Sequence, residues 1–508
     1  MSFEDASQAL NSLVKVAAEV YRGYYQYDMI ETIFAGLIIG EPVLLIGTHA
    51  SFKTSMAGFI GKLFDKPVAI VRRSFQTRDE LEGFFEDLGG AIGADGEKVM
   101  KNLADGAHVQ YEQAGSAVKV AVELDLVKYP SASSAADRTL RKPIEVFAVQ
   151  VNDQMDPEDI LGYAIDHPAL LGMKPPHAVK VGRLAGSDFI CLDEIFGAPR
   201  LLSKIHHALN EKVVDTTIGP IEIKPLGWVL CTNPLNQFYQ TNIKVVNVAT
   251  LDRYALSTQC RPPSAQEILA MYERWKRTKL AKPAPVEIIY AARLLLDEVK
   301  VPEEFMIFCL GLVSHLSRCY FSTSRGDRCV ESRDPFEADK DCSLCVYKSY
   351  PCGIANLGKV RAMIRLHQAM KAHALLNMRS KADESDLAFA LLHVLPHRLS
   401  WNNQEFLSEH GSPFAASRAL INKYAELFAS QYTRLREVEE LIKTRSAEKA
   451  LELRSKYLDA PIIRSVLDEV VEMMKEAAKK RGDQAALQML EPQLRLDEAL
   501  KAIKGARD

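Results

Sequence analysis

The chain has 508 residues, of which 47% are hydrophobic and 25% charged, enough length and apolar content for two to four domains with real cores. Lysine and arginine total 63 against 66 acidic residues, and the resulting formal charge of −3 argues against a dedicated, strongly basic nucleic-acid binder. The composition also excludes a disordered, collagen-like or disulfide-scaffold protein.

Met1-Ser2-Phe3-Glu4-Asp5 has no basic stretch followed by an apolar run, so no secretory signal is expected there and the chain reads as cytoplasmic. Amphipathic helices are expected at 6–21 and 29–39. Residues 33–46 are the most apolar stretch; Glu41-Pro42 breaks it, and it is too short to cross a membrane. Residues 42–46 form an unbroken apolar run ending at Gly47, as in a buried parallel strand. A helix at 54–64 and a strand at 68–71 follow. Residues 73–143 read as an insertion, with a glycine-rich segment, an alternating strand pattern at 118–122 and a serine- and alanine-rich loop. Further short apolar strands are expected at 146–151, 189–192 and 228–231. Strands alternating with helices imply an α/β domain with a largely parallel sheet. After Pro262-Pro263 the pattern is helical: 267–276 with Ser264 as N-cap, then 286–298, 305–319, 357–377 and 384–395. Ser412-Pro413 opens a helix running to about 443, and Pro461 and Gly482 punctuate two more. The expected organisation is an α/β domain at 1–263, a helical domain at 264–400 and a helical extension at 401–508.

Gly47-Thr48-His49-Ala50-Ser51-Phe52-Lys53-Thr54 follows a buried strand and opens a helix, the setting of a phosphate-binding loop. Backbone N–H groups would wrap the phosphates, Lys53 would reach the β/γ-phosphates and Thr54 would ligate Mg²⁺. Phe52 stands where the usual glycine precedes the lysine. Taken alone, the pattern serves equally a strand–loop–helix carrying a surface lysine. Phe189-Ile190-Cys191-Leu192-Asp193-Glu194 is an apolar strand ending in two carboxylates, with Asp193 suited to the Mg²⁺ shell and Glu194 to a general base. Val229-Leu230-Cys231-Thr232-Asn233-Pro234 is another apolar strand with a polar end, where ligands of open α/β sheets bind.

Together these segments resemble the MoxR family of AAA+ ATPases, in the clade with an insert in helix 2. Asp193-Glu194-Ile195 with Ala198-Pro199 is similar to its Walker B stretch, and Cys231-Thr232-Asn233-Pro234 to its sensor 1 strand. Leu251-Asp252-Arg253-Tyr254 resembles its Leu-Asp-Arg-Phe, in which the arginine acts as a finger on a neighbouring subunit's nucleotide. Asn152-Asp153 through Gly162 is similar to the loop leading to the helix-2 insert, and Lys359-Val360-Arg361 occupies the place of sensor 2. The likeness spans roughly 25–72 and 144–400. It departs at Phe52, at Phe196-Gly197 in place of Asn-Arg, and at Phe238-Tyr239-Gln240-Thr241-Asn242. The resemblance implies a P-loop AAA+ α/β core with a helical lid, ATP and Mg²⁺ as ligands, and hydrolysis in an oligomeric ring, a hexamer in the family. It also implies chaperone-like work on a protein client, commonly one with a von Willebrand factor A domain. A DNA-directed AAA+ motor and a nucleotide-binding scaffold that does not hydrolyse are the alternatives.

Four of the nine cysteines cluster as Cys329, Cys342, Cys345 and Cys352 in a charged, turn-rich loop at about 325–354. The Cys-x2-Cys knuckle and four thiolates suit structural zinc, with an iron–sulfur cluster as the alternative and free thiols or disulfides as the remaining reading. Cys191, Cys231, Cys260, Cys309 and Cys319 read instead as small buried hydrophobes. His206-His207, on the helix after Glu194, reads as core or surface rather than as a metal site.

Overall fold

The computed structural model describes residues 1–20, 27–102, 104–152, 154–155, 160, 162–165, 178–181, 184, 186–216, 219–234, 248–275, 282–317, 351–444, 446–457 and 461–490. The chain divides into two compact units. One is Met1–Glu298 with Leu375–Arg379, and the other is Val299–Ala374 with Ser380–Asp508. This division falls later than the change of pattern at 263/264, because the helix Glu287–Leu295 packs on the helices Phe3–Val20 and Tyr27–Ile39 of the first unit.

Two sheets of the first unit matter for function. In chain order their strands are β1 (Val43–Gly47), β2 (Phe64–Phe75), β3 (Ala107–Ala114), β4 (Ala117–Asp125), β5 (Arg138–Pro143), β6 (Val146–Gln150), β7 (Phe189–Asp193), β8 (Gly227–Thr232), β9 (Leu256–Cys260) and the two-residue β10 (Ala284–Pro285). The core sheet has the order β9-β1-β8-β7-β6, and all of its neighbours are parallel. Every residue of β1 and β8 is buried, which is why both read as unbroken apolar runs. The helix Tyr27–Ile39 packs against β8 and β9, and the helix Lys53–Gly61 against β6, β7 and β8. An amphipathic pattern was expected over 29–39, yet every residue from Met29 to Ile38 is buried. The helix lies between the sheet and two other helices, so beyond its exposed first residues Tyr27 and Asp28 it has no solvent face. A Cβ on Gly61 would stand 2.8 Å from Val146 and 3.1 Å from Phe189, so glycine lets the helix approach β6 and β7.

The strand expected at 68–71 exists but does not join the parallel core. It is the middle of β2, which pairs antiparallel with β4 (Val71↔Val122) and with β5 (Val68↔Leu140). Arg72, Arg73 and Ser74 continue this strand and are exposed; a strand buried on both faces would have to hide two guanidinium groups. In this second sheet β3 lies beyond β4, and the short strand β10 pairs parallel with the start of β2 (Ala284↔Phe64). One of its faces carries Ala69, Val71, Phe75, Val109, Val118, Val120, Val122 and Leu124 against Leu81, Phe85, Leu88 and Ile92 of the helix Arg78–Ile92. Thr77 and Glu80 form a capping box at the start of that helix, and Gly93 ends it in the left-handed region. The second sheet therefore has an apolar core of its own. Its ties to the rest of the unit include charged ones: Arg141 to Glu287 at 2.9 Å, Lys128 Nζ to the Lys224 carbonyl at 3.4 Å, and Lys66 to Asp188 at 2.5 Å.

Among its described residues the second unit is helical apart from the antiparallel pair Ala355–Asn356 and Ser400–Trp401 and a single parallel bridge between Lys300 and Lys381. The helix Glu303–Ser317 packs against Pro461–Arg481 and against the long helix Pro413–Thr444. Phe308 meets Tyr424 and Phe428 edge-on, with ring centroids 5.1 and 4.9 Å apart. Asp386 closes a capping box with Asp383 and also stands 2.6 Å from Nδ1 of buried His373. A parallel α/β core and an all-helical second unit are the architecture that the sequence pattern implies. No helix among the described residues is long and apolar enough to cross a membrane.

Candidate functional site

Because the core strands run parallel, their carboxyl ends share one edge. β1, β8 and β7 are neighbours in that order, so Gly47, Thr232-Asn233 and Asp193-Glu194 emerge side by side, with Ile46 paired to Thr232. Gly47 is required where it stands, since a Cβ would lie 2.2 Å from the Cys260 carbonyl oxygen. The loop then folds on itself: Ser51 Oγ donates to the Thr48 carbonyl at 2.7 Å. Lys53 opens the helix Lys53–Gly61 and is buried. Its Nζ donates to the carbonyls of Gly47 (2.8 Å) and Thr48 (3.0 Å) and to Ser51 Oγ (3.2 Å). Ala50 and Phe52 both adopt left-handed backbone, with φ of 61° and 56°. The loop thus keeps the glycine-type turn with a phenylalanine in it, at a cost of roughly 1–2 kcal/mol.

Thr54 Oγ1 donates to Asp193 Oδ2 at 2.5 Å, joining the start of the helix to the end of β7. Asp193 Oδ1 accepts the Glu194 N–H at 3.0 Å. Glu194 is itself left-handed (φ 55°, ψ 36°), which turns its side chain off the line of the strand. Its Oε1 lies 3.7 Å from Nδ1 of His49, an exposed loop residue. Phe196, where the resemblance has a polar residue, is buried and meets Tyr254 edge-on at 6.2 Å, so this departure fills the core. Burial pushes the Tyr254 hydroxyl up.

Arg253 lies in the turn between the short helix Val248–Leu251 and β9, its N–H donated to the Thr250 carbonyl at 3.3 Å. His206, on the helix Pro199–Glu211, is pushed down to about 4 by burial and then by the charge of Arg253. His207 is exposed and places Nδ1 3.0 Å from the Val213 carbonyl. Cys191, Cys231, Cys260 and Cys309 are all buried, and burial pushes the thiols of Cys260 and Cys309 up to about 12, as befits inert core residues. Cys319 lies outside the described residues.

The fold thus gathers Gly47, Thr48, His49, Ala50, Ser51, Phe52, Lys53, Thr54, Asp193, Glu194 and Asn233 at one edge. Arg361 lies in the first turn of the helix Lys359–Leu376, in the second unit. Of the cysteine quartet, Cys352 is buried in the short helix Pro351–Ile354 and its carbonyl accepts Asn402 Nδ2 at 3.3 Å. Cys329, Cys342 and Cys345 lie outside the described residues, as do Asp153 and residues 238–242. Among the described residues no group of three or more His, Cys, Asp or Glu side chains is placed to hold a metal ion. The contact between His49 and Glu194 and the buried Asp188 ahead of β7 were not expected from the sequence. The one available signal for the latter was an acidic residue directly before an apolar run.

The AAA lid domain family matches residues 352–415. A crystal structure of a candidate ATPase from Cytophaga hutchinsonii is similar over 83% of this chain and 96% of its own, at 18% identity and a TM-score of 0.51. A full-length MCM homologue from Methanopyrus kandleri aligns with 76% of this chain and 58% of its own, at 11% identity and a TM-score of 0.36. No match was found among curated proteins. The fold is that of an AAA+ core with an AAA lid domain.

Proposed function

We propose that this chain is a MoxR-like AAA+ ATPase that binds and hydrolyses ATP in an oligomeric ring, a hexamer by the family resemblance, to remodel or mature a protein client. The observation that carries the reading is the Thr54–Asp193 contact beside buried Lys53, with Glu194 next in sequence. Backbone N–H groups at the start of the helix Lys53–Gly61 and the Lys53 ammonium suit phosphate oxygens. The hydroxyl of Thr54 and the carboxylate of Asp193 are hard oxygen donors, 2.5 Å apart, and fit a Mg²⁺ ion, which when bound would neutralise phosphate charge. Glu194 orients a water and takes its proton as the water oxygen bonds to the γ-phosphorus and the bond to the β-phosphate oxygen breaks. By the resemblance, Asn233 helps to hold that water, a neighbouring subunit's copy of Arg253 neutralises charge developing on the phosphates, and Arg361 has the sensor 2 role. By resemblance the client carries a von Willebrand factor A domain; from their own spacing, the four cysteines hold zinc or an iron–sulfur cluster. The near-neutral net charge favours a protein client over DNA.

The test is ATP binding and turnover in wild type, Lys53→Ala and Glu194→Gln. Lys53→Ala is expected to weaken ATP binding at least about 100-fold, and Glu194→Gln to retain binding while losing turnover by about 100-fold or more. Wild-type protein that binds no ATP, or turnover that survives Glu194→Gln, overturns the reading.

A further inference from the structure

One residue, through its backbone and its side chain, secures the start of the strand that carries Asp193. Asp188, the residue before β7, donates its N–H to the Glu145 carbonyl at 2.9 Å, and its Oδ2 accepts the Glu145 N–H at 2.8 Å. The Asp188 carbonyl accepts the Leu226 N–H at 2.6 Å. Glu145 and Leu226 stand immediately before β6 and β8, so Asp188 ties together the entry points of three neighbouring core strands.

The counter-charge comes from the second sheet. Asp188 Oδ1 meets Nζ of Lys66, in β2, at 2.5 Å, and the same ammonium lies 3.6 Å from Oδ2 of Asp125, at the end of β4. The side chains of Lys66, Asp125 and Asp188 are at most 10% exposed. A carboxylate this buried depends on its partner, because removing one member leaves an unbalanced charge away from water. The neighbourhood is closely packed: a Cβ on Gly186, two residues before Asp188, would stand 3.0 Å from the His108 ring of β3. β2 also follows the Lys53–Gly61 helix after only Lys62 and Leu63.

From this anchor β7 and β8 run as short, fully paired strands to Asp193-Glu194 and Thr232-Asn233. A hydrogen-bonded strand transmits a shift at its entry to its end more faithfully than a loop does. We propose that Lys66 and Asp188 are positioning residues, through which the second sheet sets the entry of β7 and β8 and thereby the placement of Asp193, Glu194 and Asn233. A partner that displaces the second sheet would then alter the site from the opposite edge of the core. The consequence for turnover rests on the function proposed above; the mechanical coupling does not.

The test is hydrogen exchange on the full chain in wild type, Lys66→Met and the double variant Lys66→Met/Asp188→Asn. In Lys66→Met the amides of Phe189–Asp193 and Gly227–Thr232 are expected to exchange about tenfold faster, while those of Leu256–Cys260 keep their rates. The double variant leaves position 188 uncharged, so that of the two carboxylates only Asp125, at 3.6 Å the more distant, loses the ammonium, and it is expected to return the two strands to within about threefold of wild type. Acceleration confined to residues 64–143, or equal on all five core strands, overturns the proposal. If Lys66→Met fails to fold, recovery in the double variant supports the pair, and failure of both overturns it. Where ATP turnover is present, Lys66→Met is expected to lower kcat about fivefold with KM for ATP within about twofold, a split that general destabilisation would not produce. Exchange needs no turnover, so an inactive wild-type protein sinks the ATPase reading and leaves the coupling to be decided by the exchange pattern.

Discussion

The two sheets of the first unit solve the burial problem in opposite ways. β1 and β8 are buried along their whole length, and the polar residues of the candidate site stand only at their carboxyl ends. The second sheet alternates: β4 points Val118, Val120, Val122 and Leu124 at its helix and the residues between them away from it. The core sheet therefore tolerates polar chemistry at its edges alone, whereas the second sheet can carry charge across a face and still keep a core. That difference explains how the second sheet can extend from the chain between the Lys53–Gly61 helix and β6. It brings its own apolar centre and meets its surroundings through salt bridges such as Lys66–Asp188 and Arg141–Glu287.

Opening a cavity in each sheet tests their difference with the largest expected effect. Phe189→Ala removes a fully buried ring from β7 beside Gly61 and is expected to cost about 3–5 kcal/mol and to abolish ATP binding. Leu124→Ala in β4 is expected to cost about 2–3 kcal/mol in thermal or denaturant unfolding while ATP affinity stays within about threefold. Equal loss of binding in both variants would mean that the second sheet is not an independent core.

A smaller effect is expected within the phosphate loop, where the core sheet's edge holds strain. Phe52→Gly should stabilise by about 0.5–1 kcal/mol net, release of the left-handed side-chain strain exceeding the entropy that glycine loses. A Tm unchanged or lowered would show that contacts of the Phe52 side chain outweigh its backbone cost. The smallest effect concerns acid. His206 is held near 4 when folded and titrates higher when unfolded, so the unfolded chain takes up the proton first. Stability is thus complete above the unfolded value of about 6.5 and declines as pH falls from there toward 4. His206→Gln should make the loss of Tm between pH 6.5 and 4.5 smaller than in wild type by a degree or two. An identical slope in the variant would remove His206 from the acid response.

Local features of this chain are legible without a structure. The apolar run before Gly47, the loop to Thr54 and the Asp193-Glu194 strand end declare a parallel α/β core with polar strand ends, because buried parallel strands and helix starts have short-range signatures. The helix at 413–443 was equally readable from Ser412-Pro413 onward, and it appears as Pro413–Thr444. The sheet that 68–71 would join was not readable, since a strand's period says which face is apolar and nothing about its neighbours. Arg72-Arg73 held the clue, but exposed charge at a strand end fits many settings.

By itself, then, the sequence determined the class of fold, the chemistry available at the site and the order in which its parts arrive. Tertiary structure alone decided that Thr54 touches a carboxylate 139 positions away and that Lys66 balances one 122 positions away. Both contacts depend on strand order and register, which are settled by the burial of whole sheets and by backbone pairing between distant segments, terms that no local pattern records.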